Sequence, residues 1–588
     1  MAESQQQRGT TVTTGGIKLN CLVVAVIAWL SSTISLHVEG APILGPDLDS
    51  CRPVIPPRRT AADSVECCFA DTGRPIKEFK YNTDLPIRVR KAVHKLDEEY
   101  IRKYERAYEL LRALPPHDPR SWEAQSKLHC AYCAEAYSQF NSSATLDVHH
   151  GWLLMPFHRW YLYFHERILA TLIGDDTFAI PYWAWDVQDE TSPPANIMPY
   201  MFTNVSSPLY DPFRCHIHRP PHRVDLKIQV TPHNRQPEEL TRSNHYNMWR
   251  VMIGETQTAE AFFGKKVSQG DEVESKAGRF ETGPHAAVHG WTGDETTPFG
   301  EDMAPAYTAA KDPLFFAHHS QVDRLWLMWN GLGGRNFDHP DWLDAEFLFY
   351  DENADMVRVN IRDCLDIEKL RVSYDQVPAE WLDYTPRSIR EIDPKNRRNG
   401  IVGRVWRQVF GGEMFMNMAR TLGRILWREV KATDVVWGGG RAVLTSRVVR
   451  PKVSSTRGMV ENVSSSNVSL AYDEVLVVSG VVKKPFDAMV LFNLFLELPE
   501  ADESTPLYCA ESLGDVYLEP EGLQIGEDPS VTRKFSHTIG IGERLRILDV
   551  GRQSTVTVTF VPAWDSQYDS DISIRFTELT IELQLARW

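Results

Sequence analysis

Basic charge is in short supply in this chain. Its 63 Lys and Arg stand against 79 Asp and Glu, for a net charge of −16, and no long run of either sign occurs. That excludes nucleic acid and anionic membrane surfaces as partners, because binding phosphate needs clustered Lys and Arg. Long apolar runs are missing as well. The stretch Cys21–Leu30 holds ten apolar residues, whereas a hydrocarbon core of about 30 Å takes roughly 20. No repeat of fixed period is found, which removes solenoids and propellers, and no low-complexity tract exceeds a linker. Cys130-x-x-Cys133 has no second C-x-x-C to complete a zinc site. Nor does a βαβ pattern surround it as in a thioredoxin-like pair.

What remains is an ordinary globular composition, 43% hydrophobic and 24% charged over 588 residues, long enough for two or three domains. Residues 1–40 read as a targeting segment, with Arg8 and Lys18 ahead of the short apolar run. A cleaved secretory signal is expected, leading to the vacuole lumen or the cell exterior. Sequons at Asn141, Asn204, Asn462 and Asn467 fit that route. Thr10, Thr11, Thr13 and Thr14 keep a plastid transit peptide, and hence the thylakoid lumen, as the alternative. Five of the nine cysteines (Cys51, Cys67, Cys68, Cys130 and Cys133) fall near the mature N-terminus or the first histidine motif. In an oxidising compartment they suggest staples holding an N-terminal arm to the body.

Helical periodicity dominates from about residue 80 to 340. Ile87–Leu114 reads as one long amphipathic helix ended by Pro115 and Pro116, and Phe157–Gly174 as a second. A third opens at Asp312-Pro313 and stops near Gly331. The segment 451–470 is Ser-rich and reads as an exposed linker. The alternating runs after it, such as Val556–Phe560 and Ile572–Phe576, argue a β-sandwich.

Histidines carry the chemistry. In ETGPHAAVHGWTG, His285 and His289 lie one helical turn apart and share a face. An isolated H-x-x-x-H is more often a pair of partly buried surface histidines, but the third helix adds His318 and His319. One of that pair would complete three imidazoles. Upstream, LHCAYC offers His129, DVHHGW offers His149 and His150, and MPFHRWYLYFHER offers His158 and His165. His149 and His158 would oppose each other by about 180° on one continuous helix, so they converge only if it breaks. Gly151 and Pro156 supply that break. His165 either extends this set or caps it. No H-E-x-x-H is present, since Ala286 stands at the glutamate position, and Glu281 is four residues before His285 rather than three. Two all-imidazole sets without carboxylate or thiolate suit copper, which also tops the divalent affinity order. Two coppers facing each other across a four-helix bundle could share one dioxygen.

These motifs resemble those of the plant polyphenol oxidases (catechol oxidases and tyrosinases) of the type-3 copper family. HRWYLYFHE is similar to the copper A signature, DPLFFAHHSQVD to the copper B signature, and DWLDAEFLFYDEN to the family's middle segment. The resemblance implies a mainly α catalytic domain at 41–340 holding a dicopper site in a four-helix bundle, and a middle segment at 341–450. It also implies the linker at 451–470 and a C-terminal β-sandwich at 471–588 that shields the site until a protease removes it. It implies His129, His149 and His158 as ligands of copper A, and His285, His289 and His319 as ligands of copper B. His150 stands where relatives usually have Asn and is read as a neighbour. A thioether between Cys133 and His149 and disulfides Cys51–Cys68 and Cys67–Cys130 are further implications. The implied reaction oxidises o-diphenols to o-quinones and reduces O2 to water.

Glu281 sits where similar enzymes keep a carboxylate that orders a water, and that water can act as base toward a phenol. Ala286, often Asn in relatives that hydroxylate monophenols well, cannot hold the water from its side. Diphenols are therefore the expected substrates, with monophenol hydroxylation weak or absent. Ala306 replaces a Phe that commonly overhangs copper B and should open the cavity mouth. Leu154 replaces a Phe of the copper A signature, and Tyr374 lacks the aromatic that usually precedes it. A dedicated phenol hydroxylase of specialised plant metabolism is the closer rival, and an O2-binding haemocyanin-like protein the more distant one.

Overall fold

The computed structural model describes residues 40–586 apart from 57–58, 70–72, 189–192, 228–235, 272–276, 389–434, 439–442, 452–470, 485–489, 502–504, 506, 508, 519–522, 525–534, 551–552, 563–572 and 577. The targeting segment at 1–39 and almost all of the expected linker lie outside the described residues. Among the described residues, no helix is long and apolar enough to cross a membrane.

Six helices frame the helical body: α1 (Glu98–Ala113), α2 (Trp122–Cys133), α3 (Leu154–Ile173), α4 (Pro237–Trp249), α5 (Ala286–Thr292) and α6 (Leu314–Gly331). Helix α1 starts eleven residues later than the periodicity of Ile87–Leu114 predicts. Its N-cap is Asp97, whose side chain accepts from the Tyr100 amide, and Arg88–Arg90 before it form strand β1. The cause is burial of two charges. Arg88 and Arg90 point the same way from a strand paired in parallel with Val372–Tyr374, and both reach Glu166 on α3. Helix α3 also begins earlier than predicted, so Pro156 sits in its first turn, where no amide is needed. The chain reverses before it, at His150, whose φ is +60°. Gly174 closes α3 in the left-handed conformation at φ +67°.

Helices α1, α2, α3 and α6 pack around a core in which Trp160, Trp183, Trp185 and Trp326 are fully buried. Disulfides Cys51–Cys68 and Cys67–Cys130 tie the N-terminal arm to the last turn of α2. A second, separate apolar cluster lies in the C-terminal sandwich. There a four-stranded antiparallel sheet, ordered Ser512–Leu518, Val490–Leu496, Thr555–Pro562, Leu444–Val449, faces a five-stranded one built on Ala471–Lys484. Strands Val435–Gly438 and Leu444–Val449 pair with Ser573–Phe576 and Thr555–Pro562. The sandwich thus recruits chain from before residue 451.

The sandwich docks on the helical body through buried polar contacts. Tyr246 Oη on α4 donates to the Ser512 carbonyl at 2.6 Å. Arg250 Nη1 and Arg279 Nη2 donate to the Leu513 carbonyl at 2.7 and 2.9 Å. Arg279 Nε also binds Glu255 at 2.8 Å, and the Glu255 carbonyl accepts from the Gly540 amide at 3.0 Å. Strand Ser512–Leu518 thereby packs against the π-helical turn Glu281–His285 that enters α5.

Candidate metal centre

Two triads of imidazoles converge inside the helical body. His129 from α2, His149 from the loop before α3 and His158 from α3 have ring centroids 5.2, 5.4 and 5.5 Å apart. His285, His289 and His319, from the π-turn, α5 and α6, lie 4.7, 5.2 and 5.3 Å apart. The triads face each other, with the rings of His158 and His319 stacked at 3.9 Å and 6°. His149 faces His285 at 5.9 Å. The break that brings His149 round to His158 is the positive-φ turn at His150, a conformation that favours Asn or Gly.

Backbone carbonyls fix the tautomers. A carbonyl can only accept, so each Nδ1 that faces one carries the proton. His129 Nδ1 donates to Ala306 O at 2.8 Å, His158 Nδ1 to Leu154 O at 2.8 Å, His285 Nδ1 to Glu281 O at 3.2 Å and His289 Nδ1 to Met303 O at 2.6 Å. The Nε2 lone pairs of these rings are left for another partner. Nε2 of His129, His149, His158 and His285 is buried with no hydrogen-bond partner in the protein. His289 Nε2 lies 3.3 Å from His319 Nε2. Two nitrogens each about 2.0 Å from one tetrahedral ion are separated by about 3.3 Å. Protein donors of this kind suit copper in both clusters.

Burial holds the rings neutral, which is the metal-binding form. It pushes His129 down to about 3 and His289 down to about 4, in each case partly offset by the carbonyl on Nδ1. Burial, together with neighbouring imidazoles, puts His149, His158, His285 and His319 well below the usual histidine range.

The remaining candidates separate cleanly. The Trp185 indole N–H donates to His318 Nδ1 at 3.1 Å, so the proton of His318 must sit on Nε2 and that nitrogen has no lone pair for a metal. His165 is occupied by Tyr108 Oη at 3.2 Å and Gln125 Oε1 at 3.1 Å, and it stacks on Phe316. It neither extends nor caps the first triad; it braces the helices. Glu281 is buried beside His285, and its Oε1 accepts the His150 amide at 2.6 Å. Ala286 follows His285 at the start of α5. Cys133 is a buried free thiol whose Sγ lies within 4.8 Å of the first triad's ligand atoms. Ala306 lies partly buried, and its backbone carbonyl reaches a ligand ring. Phe315, which the sequence did not single out, walls both triads at 4.8 Å from the His129 ring and 4.3 Å from that of His319. Its place directly before Phe316 in the copper B-like motif was the available signal.

Beneath the triads lies a charged lattice that the sequence did not reveal. Glu166 on α3 accepts from Arg88 Nε and Arg90 Nε at 2.7 and 2.9 Å. Asp323 on α6 accepts from Arg159 Nε at 2.5 Å, Arg90 Nη1 at 3.1 Å and Tyr374 Oη at 2.6 Å. Burial alone would raise Glu166, but the two guanidinium groups hold it below the usual range.

Known proteins match this arrangement. Residues 119–332 match the family model described as the common central domain of tyrosinase, and 336–387 the polyphenol oxidase middle domain. The chain is 44% identical to the chloroplastic polyphenol oxidase of Malus domestica over 91% of its own length and 84% of that protein's. It is 38% identical to the aureusidin synthase of Antirrhinum majus over 89% and 86%. The solved structure of latent apple tyrosinase aligns with a TM-score of 0.69 at 32% identity, covering 87% of this chain and all of that one. Several of the polyphenol oxidases so matched are named chloroplastic. This corrects the expected secretory destination in the vacuole or outside the cell. A short apolar run behind sparse basic residues also suits plastid import, and sequons carry no weight off the secretory route.

Proposed function

Because this chain belongs to the plant polyphenol oxidases of the type-3 copper family, we propose that it oxidises o-diphenols to o-quinones in the plastid, with monophenol hydroxylation weak. The observation that carries this reading is the pair of facing triads, in which Nε2 of His129, His149, His158 and His285 has no protein partner and Nε2 of His289 faces only Nε2 of His319. His129, His149 and His158 would hold one copper and His285, His289 and His319 the other. The coppers supply the two-electron redox step with dioxygen. The residues around them orient the rings through carbonyls, keep them neutral by burial and exclude water with Phe315. The proximity of Cys133 to His149 supports a thioether that would fix the one ligand carried on a loop, and peptide mapping of the isolated protein reads it directly.

Glu281 would hold the water that takes a phenol proton, anchored by the His150 amide. Ala286 offers that water no second hydrogen bond. Steady-state rates with matched pairs such as tyramine and dopamine are expected to favour the diphenol by about tenfold or more; equal rates would refute the preference. A hydroxylase or synthase specialised for one phenolic, as the name of the Antirrhinum relative suggests for that protein, would show a single preferred monophenol instead.

The sandwich would keep the site latent, since its strand Ser512–Leu518 abuts the turn carrying Glu281 and His285. Cutting must fall before Val435, because ending the chain at 450 would strand two sandwich β-strands on the body. Proteolysis within 389–434 is expected to raise catechol turnover at least several-fold. Unchanged turnover after clean removal would rule latency out.

A further inference from the structure

Two of the carbonyls that orient imidazoles come from one short loop. Met303 O takes the His289 Nδ1–H and Ala306 O takes the His129 Nδ1–H, so four consecutive residues touch one ring of each triad. The loop is anchored at Asp302. Its amide donates to Phe213 O at 3.1 Å, its carbonyl accepts from Thr308 Oγ1 at 2.8 Å, and its carboxyl is hydrogen-bonded to that of Asp211. Asp211 Oδ1 in turn accepts the Phe213 amide at 2.7 Å. The two residues are 4% and 9% exposed, and two carboxyl groups can share a hydrogen bond only while one keeps its proton.

The surroundings say which state is neutral. Facing the pair are Asp312, held by Arg214 through both Nε and Nη2, with Glu301, Lys311 and Arg112, and the Tyr307 hydroxyl donates to Glu301. Asp211, Asp302, Asp312 and Glu301 make four acids against the three bases Arg112, Arg214 and Lys311, so one retained proton balances the cluster. Burial, with Asp312 and Asp302 beside it, pushes Asp211 up to about 8, and burial raises Asp302 less. Asp211 is therefore the donor.

We propose that the loop Asp302–Ala306 is a clamp common to both copper sites, closed by the hydrogen bond that Asp211 donates to Asp302, which makes these two aspartates positioning residues for His129 and His289. The inference rests on reading the triads as copper sites. Neither aspartate touches a ligand ring; they act through the loop. Loss of the shared proton sets two carboxylates against each other at the base of the loop. That loosens Met303 O and Ala306 O together, so copper is held less firmly as pH rises through about 8.

The test uses the full-length protein loaded with copper at neutral pH, its metal counted by atomic absorption. Copper loss to EDTA is then followed on both sides of pH 8. The parent protein is expected to lose copper about tenfold faster on the alkaline side. Asp211→Asn donates an amide N–H to Asp302 at every pH while its Oδ1 still accepts from Phe213, so it should keep the slow rate throughout. Asp302→Ala should lose copper fast even at neutral pH. An Asp211→Asn profile identical to the parent's overturns the clamp, as does slow loss from folded Asp302→Ala; if Asp302→Ala does not fold, Asp211→Asn decides alone. Failure of the parent to take up copper at all would overturn the copper reading, and the clamp with it.

Discussion

His319→Ala is expected to carry one copper in place of two and to lose essentially all oxidase activity, while His318→Gln keeps both metals. The adjacent histidines share a helix, burial and a cluster, and sequence pattern alone separates them only by analogy. The tautomer separates them physically. Trp185 donates to His318 Nδ1, which puts the proton on Nε2, whereas His319 Nε2 sits 3.3 Å from the proton-free Nε2 of His289. Removing a ligand from a three-imidazole site leaves two, too few to hold a redox copper in its geometry. Metal counts on the purified variants check this. Full loss of one copper from His318→Gln with retention in His319→Ala would reverse the assignment.

Asp323→Asn is expected to destabilise the protein by about 3–5 kcal/mol, the usual cost of breaking a buried ion pair by removing one charge. Against a total of about 5–15 kcal/mol for a folded domain, that is a large fraction. Asp323 answers both Arg90 and Arg159, and all three side chains are essentially inaccessible to water. The amide leaves two guanidinium groups facing a single neutral oxygen. Tyr374→Phe leaves every charge in place and removes one hydrogen bond to the same carboxylate and one that the hydroxyl accepts from Arg90 Nη1, and should cost about 1–3 kcal/mol. Urea titrations followed by tryptophan fluorescence would rank the two variants, and an Asp323→Asn midpoint no lower than that of Tyr374→Phe would contradict the account. Because Asp323 lies one turn beyond His319, the same variant tests whether the charged lattice holds α6 in register with the ligands.

How far the sequence could be read depends on what each residue's role requires. His285 and His289 were legible because a helical repeat fixes their relation locally. His149 was legible only with a break, and the break was placed at Gly151 and Pro156, whereas the chain turns at His150 and Pro156 sits harmlessly in α3. The start of α1 was misread because apolar spacing in Ile87–Leu96 resembles a helix, while burial of Arg88 and Arg90 against Glu166 imposes a strand. Propensity loses there to a charge pairing 76 and 78 residues away along the chain. The carbonyls of Met303 and Ala306 were invisible for a related reason, since a backbone acceptor leaves no signature in residue type. Ala306 was singled out for the side chain it lacks, and the structure uses its main chain.

The grip of the helical body on the sandwich has the same character. Tyr246, Arg250 and Arg279 hold the carbonyls of Ser512 and Leu513 rather than their side chains. These three bonds therefore depend on the path of the strand, while the Leu513 side chain is separately tied to the apolar core of the sandwich. The joint also rests on Gly540, whose amide donates to the Glu255 carbonyl and whose place leaves no room for a Cβ. Divergent descendants of this gene should keep those three donors, the glycine at 540 and an apolar residue at 513.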